Sequence, residues 1–195
     1  MRRDELLNAL IRDRGLTSYL EIGCHQNATF RAVECAEKVG VDPLRGGTLR
    51  LTSDAFFSQN ERTFDLIFID GRHTFAQSLC DVCNSLGVLN PRGAVVLHDC
   101  LPKTEMQQMP TPQPRIWTGE VWKTLAVVRT WPHVDAAALD DDWGLGVILP
   151  RPNTDRLRIL PELSWETYRD QGRALLRVVD DAGMAAFLGE GESAK

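Results

Sequence analysis

Two short segments of this chain end alike. Phe64-Asp65-Leu66-Ile67-Phe68-Ile69 is an almost unbroken apolar run that stops on Asp70-Gly71, and Ala94-Val95-Val96-Leu97 stops on His98-Asp99. A strand with one wet face alternates apolar and polar residues, whereas a strand apolar throughout is covered on both faces, as in a parallel sheet between helices. Thr74 to Leu86 lies between the two runs at helical spacing, and Asn90-Pro91-Arg92-Gly93 reads as a turn. Strand, helix, strand is the unit of α/β folds.

The flanking sequence extends the pattern. Leu6, Leu7, Leu10 and Ile11 give the segment Arg2 to Arg14 a helical face, which Gly15 ends. Tyr19 to Ile22 is a strand candidate, Thr29 to Lys38 a helix, and Val39 to Asp42 a second strand stopped by Pro43. Only five residues separate Asp42 from Thr48, too few for a helical crossover of about a dozen. Leu101 to Arg115 holds Pro102, Pro110, Pro112 and Pro114 and reads as a long loop. Glu120 to Arg129 is helical. His133 to Leu139 and Trp143 to Leu149 flank Asp140-Asp141-Asp142 as an antiparallel hairpin, whose acidic turn is expected to be solvated. A last helix is predicted from Trp165 to Val179, with a frayed tail from Gly189 to Lys195. The expectation is one domain over residues 1–195, with an N-terminal helix at 1–15 and a lid or substrate loop at 101–118.

Composition excludes several classes of function. With 22 basic against 27 acidic residues the chain has a net charge of -5, so a nucleic-acid binder with a basic face is not expected. No apolar run approaches the roughly 20 residues of a membrane span, and no apolar stretch follows the charged N-terminus as in a secretory signal. The five cysteines are odd in number and scattered, and Cys80 and Cys83 have no second pair to complete a zinc site. These points predict a cytoplasmic protein with reduced thiols and a small-molecule partner, and without nucleic-acid or membrane partners. They leave a homo-oligomer open.

Ligands of open parallel sheets bind beyond the carboxyl ends of the strands. Those ends carry Glu21-Ile22-Gly23, Val41-Asp42, Asp70-Gly71-Arg72-His73 and His98-Asp99-Cys100. A dinucleotide site needs several glycines for its pyrophosphate, and here only Gly23 is present. Asp42 nevertheless stands about 20 positions beyond it, where a ribose-binding carboxylate belongs. A nucleoside ligand without phosphates fits this pattern better than NAD.

Tyr19 to Gly23, Gly40 to Pro43, Thr52 to Asp54, Phe64 to Gly71 and Pro91 to Cys100 resemble, in order and spacing, the class I S-adenosylmethionine-dependent methyltransferases. Trp117 to Lys123 and Trp143 to Ile148 resemble later blocks of a small bacterial subgroup, so the resemblance covers about residues 16–150. It implies a Rossmann-like three-layer sandwich with a mostly parallel seven-stranded sheet and a C-terminal antiparallel hairpin. It also implies S-adenosylmethionine as cofactor. Glu21 and Gly23 would then touch its methionine and ribose, Asp42 the ribose hydroxyls, Ser53 and Asp54 the adenine, and Asp70 and Gly71 the methionine end and the acceptor.

Methyl transfer to oxygen needs an acceptor held in line and, for a hydroxyl, a base. Asp70, His73, His98 and Asp99 are the candidates. A metal-assisted variant would use Asp70, His98 and Asp99 as ligands, and the histidine suits a softer ion than Mg²⁺. A non-catalytic cofactor- or partner-binding module of the same fold is the other alternative. Trp117 and Trp122 are read either as core anchors or as part of a lid over the acceptor.

Overall fold

The computed structural model describes residues 1–189. Of the expected frayed tail, residues 190–195 lie outside the described part. Seven strands form one sheet: β1 Ser18–Ile22, β2 Glu37–Val41, β3 Phe64–Ile69, β4 Leu89–Leu97, β5 Asp135–Leu139, β6 Leu145–Leu149 and β7 Val178–Val179. Their order is β2-β1-β3-β4-β6-β5-β7. β6 runs antiparallel to both β4 and β5, and the other pairs are parallel. The helices are α1 Arg3–Arg14, α2 Ala28–Ala32, α3 Ser53–Phe57, α4 Phe75–Gly87, α5 Val121–Val128, α6 Trp165–Leu175 and α7 Asp181–Gly189. A single 3₁₀ turn, Glu105–Gln108, interrupts the long loop after β4.

Strand periodicity divides the core in two. Leu20, Ile22, Ile67, Ile69, Val95 and Leu97 face one way and pack with Val82 of α4 and with Val121, Trp122 and Leu125 of α5. Tyr19, Leu66, Phe68, Ala94 and Val96 face the other way, against Leu6, Leu7, Leu10 and Ile11 of α1 and Met184 and Phe187 of α7. Every apolar run therefore serves two helix layers, which is why the sequence shows no alternation. The three-layer expectation holds, and so does the hairpin of β5 and β6. No helix links β2 to Leu49; a loop joins them and makes a lone parallel bridge at Val41.

Several boundaries differ from the pattern read in sequence, and one helix is additional. The helix predicted over Thr29 to Lys38 stops at Ala32, because Lys38 belongs to β2 and its ammonium caps the carbonyls of Phe30 and Val33 at 2.7 and 2.9 Å. The predicted turn Asn90 to Gly93 is drawn into β4, with a register shift opposite Phe64 to Leu66. The last predicted helix ends at Leu175, since Arg177 has a φ of 48° and the β-branched pair Val178-Val179 adds an edge strand to β5. α7 then follows, and its only two fully buried side chains, Met184 and Phe187, leave too faint a periodicity to read in sequence.

Asp65 is the one charge in the β3 run. Its carboxylate accepts from the Thr17 and Ser18 backbone N–H groups, the Thr17 hydroxyl and the Asn90 amide, and so joins the starts of β1, β3 and β4. Burial opposes its ionisation, but these donors prevail and hold its pKa at about 2 against an ordinary 3.8. A pKa depressed by folding gives stability that is present above the ordinary value and lost as pH falls through the folded one. Asp65→Asn should therefore be less stable than wild type in denaturant titrations at pH 7, and the two should converge near pH 2.

Candidate active site

The carboxyl ends of β1, β2 and β3 open into a cleft of about 490 Å³ lined by Gly23, Asp42, Ser53, Asp54, Asp70 and Gly71. Six of the seven residues expected at the cofactor thus converge. Gly23 turns sharply here: its φ is +86°, and a Cβ would lie 2.1 Å from the Asp70 carbonyl oxygen. Only glycine lets β1 and β3 end so close together. The seventh residue, Glu21, points away. Its carboxyl is 1% exposed, accepts from the Tyr19 hydroxyl at 2.5 Å, and is pushed by burial to a pKa of about 7.

Asp42 has its side chain turned to the loop ends. One carboxylate oxygen accepts from the N–H groups of Cys24 and His25, at 3.1 and 2.8 Å, and the other from Leu44 and Arg45, at 2.8 and 2.9 Å. Burial resists the charge, but these four amides keep its pKa below the ordinary range. A hydroxyl ligand would share oxygens that already organise both loops. Gln77 was not anticipated; its amide donates to Ser53, Asp54 and Asp81 from the far wall.

Beside the cleft, the ends of β3 and β4 bring all four expected acid–base residues together. His73 Nε2 lies 3.3 Å from Asp70 Oδ1, and its Nδ1 lies 3.3 Å from both Asp99 Oδ2 and the Trp117 carbonyl. His98 Nδ1 lies 3.3 Å from Asp70 Oδ1 and 3.2 Å from Asp99 Oδ2, while its Nε2 faces Asp142 at 3.7 Å. The His98 ring is 4% exposed, yet neither of its nitrogens is aligned for a hydrogen bond. Burial disfavours a charge on His98, but Asp70, followed by Asp142 and Asp99, overrides it and pushes the pKa up to about 11. His73 is raised against the same opposition, by Asp70 and Asp99. Asp70 in turn is held well below the carboxylate range; burial resists, and the two imidazoles prevail. Oxygens of Asp70 and Asp99 and a nitrogen of His73 all lie within 4.8 Å of one another, close enough to hold a metal ion.

Two further groups reach this cluster from outside the motifs. Asp142, expected in a solvated turn, is only 17% exposed in its side chain and takes a two-pronged contact from the Arg3 guanidinium. Arg3 also donates to Asp70 Oδ2 at 3.0 Å. Nothing in the first turn of a surface helix signals such a contact, and the Asp140-Asp141-Asp142 run reads as a hydrated turn because its neighbours in space are remote in sequence. Of the two tryptophans, Trp122 is a fully buried core anchor, and Trp117 stacks on His73 with ring centres 4.9 Å apart. Gly119, at φ +61°, lets the chain pass so close to His73 that a Cβ would lie 2.1 Å from its carbonyl oxygen.

Residues 6–100 match the family model described as a methyltransferase domain. The matched segment is 95 of the 195 residues. It contains the cleft and the four acid–base residues, whereas Arg3, Trp117 and Asp142 lie outside it. No curated protein matches the sequence. Among solved structures, the fold is shared with the O-methyltransferase of Bacillus cereus in complex with SAH, at 15% identity and a TM-score of 0.58, covering 76% of this chain and 80% of that one. It is shared equally with the O-methyltransferase TomG of Streptomyces achromogenes in complex with SAM, at 15% identity and a TM-score of 0.57, over 76% and 79% of the two chains. The N-methyltransferase NodS of Bradyrhizobium japonicum matches at 16% identity and a TM-score of 0.51, over 77% and 95%. Oxygen and nitrogen methylation thus both occur on this fold, so the acceptor atom has to be argued from the site. All five cysteines are free, and no helix among the described residues is long and apolar enough to cross a membrane.

Proposed function

We propose that the chain transfers a methyl group from S-adenosylmethionine to a hydroxyl of a small acceptor, with the Asp70–His73–His98–Asp99 cluster handling the proton. The observation that carries this reading is the double position of Asp70, which lines the cleft and also contacts both imidazoles. The cleft suits a nucleoside with a cationic tail: it offers the carboxylates of Asp42, Asp54 and Asp70, and the turn after β1 has only Gly23 where a pyrophosphate would need several glycines. The titrating cluster suits a hydroxyl better than an amine, because a hydroxyl must lose its proton as it is alkylated. The loop over residues 101–118 serves as a lid through Trp117, and residues 1–195 act as one domain.

When bound, S-adenosylmethionine supplies a methyl group already activated on a sulfonium. The work left to the protein is to place the acceptor in line and remove its proton. Asp70 faces His73 and His98 with one carboxylate oxygen, and Asp99 faces the opposite nitrogen of His73 and the same Nδ1 of His98. His98 is charged at neutral pH and the His73 pKa is shifted in the same direction, so the form able to accept a proton grows as pH rises.

A second reading has its own support: the clustered donors of Asp70, His73 and Asp99, with His98 buried beside them, suit a transition-metal ion. Such an ion would polarise the acceptor hydroxyl and take over the role of the histidine protons.

Four measurements test these readings. Asp42→Ala should weaken S-adenosylhomocysteine binding in calorimetry, and unchanged affinity removes Asp42 from the ribose. His73→Ala should lower turnover by about 10²-fold or more while sparing cofactor affinity, and wild-type kcat/KM should climb from pH 7 into the alkaline range. Activity that survives EDTA removes the metal; loss restored by a divalent ion establishes it. Saturable cofactor binding without turnover on any acceptor would instead leave a non-catalytic module.

A further inference from the structure

The Asp142 side chain does more than cap a helix. Its Oδ2 accepts from the Arg3 backbone N–H at 3.0 Å and from Arg3 Nε at 2.7 Å, and its Oδ1 accepts from Arg3 Nη2 at 2.9 Å. The first of these satisfies an orphan amide at the start of α1, where the helix dipole favours an anion. The other two form a fork that fixes the plane of the guanidinium. Arg3 has Nη1 left, and it donates to Asp70 at 3.0 Å. The group that Arg3 holds in its fork also faces His98 Nε2.

The turn carrying Asp142 is strained. Asp142 and Trp143 are consecutive non-glycine residues at φ 46° and 63°, and Asp99, across from them, has φ 62°. A non-glycine residue held at positive φ is strained and persists where its surroundings over-determine it. Here the turn is tied to the end of β4, because the Cys100 and Leu101 N–H groups donate to the Gly144 and Trp143 carbonyls at 3.0 and 2.7 Å. Arg3 holds it from the α1 side through Asp142, next to the Met1 ammonium on Asp141 and the Arg173 guanidinium on Asp140. Three carboxylates, those of Asp70, Asp99 and Asp142, surround His98; Arg3 joins Asp70 to Asp142 as His73 joins Asp70 to Asp99.

We propose that Arg3 and Asp142 are a positioning pair that locks the Asp70 carboxylate and the β5–β6 turn around the His98 ring, so that the N-terminal helix completes the reaction centre. This rests on the methyl-transfer reading above. Without Arg3, the Asp142 carboxylate keeps only its long contact to His98, and Asp70 loses the one side-chain donor that comes from neither imidazole. A pair that only capped α1 would affect stability and not the rate at the centre.

The test uses the full chain with S-adenosylmethionine and a panel of phenols, catechols and polyols, following S-adenosylhomocysteine formation. Arg3→Ala and Asp142→Asn should each lower kcat by about 10–100-fold, the cost of a misplaced catalytic geometry, with KM for the cofactor nearly unchanged. The double variant should cost little more than either single one. Arg3→Lys, or added guanidinium with Arg3→Ala, should restore part of the rate, and Arg12→Ala on the same helix should change nothing. Wild-type kcat in Arg3→Ala overturns the proposal, as does a loss that neither lysine nor guanidinium relieves. An independent arm needs no acceptor: with S-adenosylhomocysteine bound, ¹⁵N resonances of the His98 ring should move in Arg3→Ala and return in Arg3→Lys. If wild type methylates nothing, the methyl-transfer reading fails and this arm alone decides the pair; an unmoved ring then overturns it.

Discussion

Asp70 is the point at which the local structure closes on itself. A carboxylate at the end of a buried parallel strand has to be charged, oriented and shielded together, and three basic side chains do this from three elements: His73 in the loop after β3, His98 at the end of β4, and Arg3 at the start of α1. Removing two charges from water is expensive unless geometry is good and further hydrogen bonds complete the shell. Here the shell is shared, because Asp99 and Asp142 serve the same imidazoles and the same guanidinium. The cluster is thus one body of alternating charge, and no pair within it stands alone.

That body depends on the sheet beneath it. β3 and β4 are parallel neighbours in matched register, so Ile69 and Leu97 pair directly and the residues following them emerge side by side. Gly23 allows β1 to end against the Asp70 carbonyl, which brings the cleft to the same spot. At the opposite end, Asp65 gathers the starts of the same three strands. A carboxylate therefore sits at each end of β3, the lower one bound to neutral donors and the upper one to cations.

Much of this was legible in the sequence because its signals are local. Unbroken apolar runs imply a strand covered twice, and an acidic or imidazole residue directly after such a run falls on the ligand edge; Asp42, Asp70, His98 and Asp99 all obey this. Arg3 and Asp142 did not show, since their meaning comes from contacts spanning 139 positions. Glu21 was misleading for a related reason: strand position was readable, but the side chain alternates to the face beneath α1, where Tyr19 takes it. α7 and β7 escaped because two buried residues in nine, and two in all, carry too little periodicity to register.

The stacking of Trp117 on His73 has a kinetic side. The Trp117 carbonyl faces His73 Nδ1, and the Glu120 N–H donates to the His73 carbonyl at 2.8 Å, so both ends of this short stretch are fastened to one residue. Gly119 between them has no side chain to act as a spacer. The loop cannot lift at this point without letting go of the imidazole. In the lid role proposed for this loop, admission of an acceptor and release of the ring from its neighbours become the same movement, and the imidazole proposed to handle the proton is held rigid only while the door is shut.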